Sequence, residues 1–197
     1  MNTVAPNTLV LAIVLVVVAV AAVIGILLHK RRQSQRLRQR FGPEYGRTVN
    51  ELGGQTKAEA ELKKREERVA RLSITPLTPT DAARFTQAWN GLQSRFIDNP
   101  KGVVAEADHL VRELMVKRGY PMGDFERRAA DISVDHPGVV ATYRAAQVIA
   151  ARDMRGEADT EELRKAVVHY RTLFDELLEV TPVKGVDLPK NRMPVHS

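Results

Sequence analysis

The sequence predicts an all-α protein: an N-terminal transmembrane helix, a charged helical spacer and a compact bundle of about five helices. Three observations carry this. Leu9 to Leu28 is an unbroken apolar run without a charge. Beyond it, apolar residues recur at steps of three and four, the period of a helix with one buried face. No stretch alternates with the period of a strand, and no hairpin turn signal occurs.

The first element is the apolar run. Twenty residues rising about 1.5 Å each span about 30 Å, the hydrocarbon thickness of a bilayer. The run is apolar on every face, unlike an amphipathic core helix. A cleaved signal peptide is the main rival, and it needs positive charge before a shorter apolar stretch. Met1 to Thr8 holds no Lys or Arg, whereas His29-Lys30-Arg31-Arg32 follows the run directly. Under the positive-inside rule this asymmetry predicts residues 1–8 outside, a span over 9–28, and the rest in the cytoplasm of a plasma-membrane protein. The chain has no cysteine, so it offers no disulfide framework and no thiolate ligand.

The formal net charge is +6. Residues 30–47 hold seven Lys or Arg and one acid, whereas residues 73–197 hold 17 basic and 18 acidic groups. A nucleic-acid-binding domain carries its own basic face, so no nucleic-acid partner is expected. A basic collar beside a span instead meets anionic headgroups, each cation contributing roughly 1 kcal/mol near the surface. The expected lipid-binding residues are Lys30, Arg31, Arg32, Arg36, Arg38 and Arg40.

Phe41-Gly42-Pro43 breaks the basic helix, and Gly53-Gly54 interrupts again after Tyr45, Val49 and Leu52. Gln55 to Leu72 is rich in Ala, Glu, Lys and Arg, with Glu59–Lys63 and Glu61–Arg65 as favourable i,i+4 pairs. Its apolar positions, Ala58, Leu62, Val69 and Leu72, are sparse. Residues 29–72 therefore read as a basic juxtamembrane segment and a solvated spacer. Ala21-x-x-x-Gly25 leaves a homodimer possible through close helix approach.

The folded domain is expected over 73–180. Thr78-Pro79-Thr80-Asp81 starts its first helix, with Phe85, Trp89, Leu92 and Phe96 on one face. Asn99-Pro100 starts the second, which carries Val103, Val104, Ala107, Leu110, Val111 and Leu114 and ends at Gly119. Phe125, Ala129 and Ile132 mark a short third helix. Asp135-His136-Pro137 opens the fourth, and Asp159-x-x-Glu162, a capping box, opens the fifth. Short connections favour antiparallel neighbours. Residues 181–197, with three prolines, read as an extended tail.

Chemistry is thinly marked. Asp131, Asp135 and His136, with His169 on the fifth helix, are the best candidates for acid–base work or a divalent metal. No metal motif spaces them, and Asp135 and His136 have a simpler role in satisfying free N–H groups at a helix start. Arg118-Gly119-Tyr120-Pro121 is accounted for by helix termination, and Trp89 by its apolar stripe. His29, His109 and His196 are read as solvated or incidental, and no metal or other cofactor is expected.

Arg40-Phe41-Gly42-Pro43-Glu44-Tyr45, Arg118-Gly119-Tyr120-Pro121, Asp135-His136-Pro137 and His169-Tyr170-Arg171 together resemble a family of uncharacterised bacterial single-pass membrane proteins. The resemblance covers most of residues 36–178 and implies no activity, cofactor or site. The expected function is a membrane-tethered interaction module that presents a cytoplasmic helical bundle to a protein partner. The alternatives are a membrane-bound enzyme or metal-binding protein using Asp131, Asp135, His136 and His169, and a small accessory subunit of a transport or envelope complex.

Overall fold

A computed structural model of the protein describes residues 6–179, with side chains from residue 14 onward. Residues 1–5, His196 and the expected tail over 181–197 lie outside the described residues. Among the described residues there are eight α-helices and no strand, so the chain is all-α. The helices are α1 (Pro6–Phe41), α2 (Pro43–Leu52), α3 (Gln55–Val69), α4 (Pro79–Ser94), α5 (Pro100–Arg118), α6 (Phe125–Asp135), α7 (Pro137–Met154) and α8 (Thr160–Leu177). The chain divides into two compact units. The first holds the residues up to Arg71 together with Phe125–Ala141, and the second holds Leu72–Asp124 and the chain from Thr142.

In the first unit the apolar run and the basic collar form one helix. The part from Val14 is long and apolar enough to cross a membrane, and its apolar portion is not buried within the protein. The helix then changes character. Leu37 and Phe41 are 2% and 0% exposed, packed into the core of the unit. Gly42 ends α1 with φ at +48°, a left-handed angle that side chains resist, and Pro43 starts α2.

The α3 segment differs from the solvated spacer expected. It packs with α1, α2 and α6. Its buried stripe is Ala58, Leu62, Arg65 and Val69, at steps of four, three and four. The third position of that stripe is an arginine, so hydrophobic patterning shows only three of its four members. Arg65 is admitted to the interior by Glu44 of α2, whose carboxylate lies 3.1 Å from its guanidinium. A buried charge is tolerated when it is paired in this way.

The five helices expected over 73–180 are present as α4 to α8, but the third of them, α6, groups with the first unit. Six consecutive residues, Ala129 to Val134, are buried, so its middle is enclosed on every side. Only His136 separates α6 from α7.

The core of the second unit lies where α5 packs on α4 and α8. Trp89 and Phe174, both buried, stack with ring centroids 4.7 Å apart. Phe96 lies beyond the end of α4 and is half-buried. The caps expected from the sequence are formed. Thr78 accepts from the Asp81 N–H, Asn99 accepts from the Gly102 N–H, and the Asp159–Glu162 capping box is complete. Arg118 is buried and closes the unit. It donates to the carbonyls of Thr75 and Leu177 at 3.3 and 3.2 Å and pairs with Glu179 at 3.0 Å.

Candidate functional site

The juxtamembrane stretch of α1 divides into two sets of cations. Arg36 and Arg40 turn toward the folded unit. Arg40 lies 3.3 Å from the Glu66 carboxylate and 3.6 Å from that of Asp135, and donates to the Val134 carbonyl at 3.3 Å. Arg36 approaches Glu66 at 3.9 Å. These contacts tie α1 to α3 and α6. Lys30, Arg31 and Arg32 are exposed, and among the described residues no acid pairs with them. Arg38 lies over the Tyr45 ring, 5.2 Å from its centroid.

Three of these cations line a groove. Between α1 and the start of α3 a cleft of about 330 Å³ is walled by Leu27, Lys30, Arg31, Ser34, Gln35, Arg38 and Gln55. At about 100° per residue, the six α1 residues fall within one face about 140° wide. Arg32 does not line the groove and falls about 60° beyond the edge of that face.

The wall on the α3 side is held by Glu59. Its carboxylate accepts from the Tyr45 hydroxyl at 2.8 Å and from the Gln55 amide at 2.8 Å, and the same amide reaches the Ser34 hydroxyl at 3.1 Å. Burial opposes ionisation of Glu59. Hydrogen bonds from Ser34, Gln55 and Tyr45, with the nearby charge of Arg38, outweigh it and hold the carboxyl below its ordinary range. Burial is also the main cause that raises the Tyr45 phenol. Glu59 is therefore an anion already supplied with donors, set behind the exposed cations.

The acids and histidines singled out from the sequence have other surroundings. Asp131 is fully buried in the first unit, and its Oδ1 lies 2.7 Å from Arg68. Asp135 meets Arg40, and the backbone N–H of His136 caps the end of α6 on the Ile132 carbonyl at 2.8 Å. His169 belongs to the second unit. Among the described residues, no group of three or more His, Asp or Glu is placed to hold a metal ion.

The second unit has a groove of its own between α4 and α5, about 390 Å³, lined by Gly91, Leu92, Arg95, Glu106, His109 and Leu110. Its charged groups answer one another: Arg95 pairs with Glu106 at 3.1 Å, and His109 faces Glu113 at 3.3 Å.

Sequence reasoning assigned every cation of the α1 groove to a site but not Ser34, Gln35, Gln55 or Glu59. Ser34 shares the helical face of Arg31 and Arg38, and that spacing was the available signal. Gln55 and Glu59 arrive through a fold-back of α3 that no local pattern announces. Comparison of the chain with protein-family models, with curated proteins and with solved structures yields no match.

Proposed function

We propose that the chain is a single-pass membrane protein whose anchor carries a helical interaction module. The N-terminus lies outside and the helical units lie in the cytoplasm, where they meet a protein partner. The observation that carries this reading is the continuity of α1. The apolar helix passes without interruption into a segment whose Leu37 and Phe41 are core residues of the first unit. A helix so placed is a rigid mount rather than a loose leash. The exposed cations Lys30, Arg31 and Arg32 follow the apolar run directly, where anionic headgroups meet a juxtamembrane segment. The engagement of Asp131 by Arg68 and of Asp135 by Arg40 supports structural duties for the acids that a catalytic reading would need.

The test is in-cell crosslinking of the tagged full chain, with the crosslinked sites mapped by mass spectrometry. The expected result is one partner recovered in fixed proportion, crosslinked through exposed lysines of the helical units such as Lys64 or Lys101. Recovery of nothing above an anchor-only background overturns the interaction reading. Independently, alkaline phosphatase fused after Ser197 is expected to be inactive; activity overturns the orientation.

A further inference from the structure

Resting on the membrane reading above, we infer that the groove between α1 and the start of α3 binds a phosphate-bearing anion. Its occupant is the phosphodiester of an anionic glycerophospholipid.

Position is the first argument. Leu27, at one end of the groove, belongs to the last turn of the apolar run and is exposed. With Leu28 as the edge of the hydrocarbon, Lys30 and Arg31 lie about 3 to 4.5 Å further along the helix and Ser34 about 9 Å. The headgroup layer is about 5 to 8 Å deep on each side of a bilayer. Lys30 and Arg31 therefore sit at the depth of lipid phosphates, and the mouth of the groove opens beside the acyl region. A soluble phosphate has no use for that apolar end.

Charge is the second. Lys30 and Arg31 have no acidic partner among the described residues, whereas Arg36 and Arg40 are turned to Glu66 and Asp135. Glu59, which holds the groove residue Gln55, accepts from Tyr45, Gln55 and Ser34 and lies close to Arg38. An excess of positive charge thus remains on the exposed side. A guanidinium offers a phosphate two parallel N–H bonds, and an ammonium adds a point charge.

Size is the third. About 330 Å³ is at the small end of ligand pockets, roughly 300–1,000 Å³. That suits a headgroup whose acyl chains stay outside against the exposed apolar helix.

The decisive comparison is between neighbours of equal charge. Arg31 lines the groove and Arg32 does not, yet both are exposed on the same turn. The full chain in a non-ionic detergent would be titrated with phosphatidylglycerol, with phosphatidylcholine, and separately with inorganic phosphate, and binding read by native mass spectrometry. The expected result is one retained phosphatidylglycerol, preferred over phosphatidylcholine, bound about fivefold more weakly by Arg31→Gln and within about twofold of wild type by Arg32→Gln. Equal weakening by the two substitutions overturns the groove and leaves a diffuse basic collar. Absence of any preference for phosphatidylglycerol overturns the anionic-lipid reading as well. Arg31-dependent binding of inorganic phosphate without lipid binding overturns the lipid as occupant.

Discussion

The Arg65 guanidinium lies 3.1 Å from the Glu44 carboxylate, with 8% and 4% of the two side chains exposed. The pair joins α2 to α3 inside the first unit, and Glu61 supports it from the surface at 3.5 Å. Two charges withdrawn from water are held chiefly by each other, with Arg47 at 3.9 Å from Glu44 and Glu61 at 3.5 Å from Arg65 as weaker partners, so removing one leaves the other poorly compensated. Arg65→Met or Glu44→Leu alone is expected to destabilise the first unit by about 3–5 kcal/mol. The double substitution is expected to recover most of that loss, because neither buried charge of the pair remains. Denaturant unfolding of the full chain in micelles checks this; a double variant as unstable as the single ones contradicts it.

Gly119 ends α5 with φ at +97°, and a Cβ there would meet the Ser73 carbonyl oxygen at 2.5 Å. Gly53 also has a positive φ, +68°, but a Cβ would meet nothing within 4 Å. Gly119→Ala therefore adds a backbone collision to the conformational penalty, whereas Gly53→Ala carries the penalty alone. The expectation is a loss of about 1 kcal/mol for Gly53→Ala and clearly more for Gly119→Ala. Thermal unfolding of the two variants side by side decides it.

Glu59 links folding to pH. Its folded-state carboxyl lies below the ordinary value of 4.5, because hydrogen bonds and Arg38 outweigh burial. A depressed folded value means that the unfolded chain takes up the proton first on acidification. The contribution of Glu59 is therefore fully present above about pH 4.5 and is lost as pH falls through the lower folded value. Glu59→Gln is expected to flatten that part of the stability–pH curve, and Tyr45→Phe, which removes one donor, to flatten it partly. Denaturant midpoints between pH 3 and 6 measure this, and an unchanged slope in Glu59→Gln contradicts it.

The helix class was readable because local chemistry announces it. Thr78, Asn99 and Asp159 accept the N–H bonds that their positions predict, and Phe85, Trp89 and Leu92 bury the face that their spacing predicts. What escaped were charges with structural work in the interior. Arg65 read as part of a solvated spacer and Asp131 as a candidate for acid–base work or a metal, because nothing local announces a paired buried charge, and Asp131 meets Arg68 across 63 positions of sequence. The same blindness divided the collar unseen. Arg40 and Arg31 are equivalent by composition, but only the former is reached by acids from α3 and α6. The candidate groove was thus half legible: its cations lie on one face of one helix, and its other wall depends on how α3 folds back.

Phe41 tests whether the anchor is mounted rigidly. It is the last residue of α1, wholly buried, and with Leu37 it brings the helix into the core of the first unit. Phe41→Ala leaves a cavity there and is expected to cost about 3–5 kcal/mol. Local stability follows packing, so backbone amides of residues 34–41 are expected to exchange as slowly as the buried turns of α3 in the wild-type chain. In Phe41→Ala both segments are expected to exchange faster together, because each is held by the other. Hydrogen exchange on the full chain in lipid nanodiscs, read by mass spectrometry, reports both segments in one experiment. Fast exchange of 34–41 in the wild-type chain contradicts the rigid mount. So does a Phe41→Ala chain in which α3 keeps its full protection.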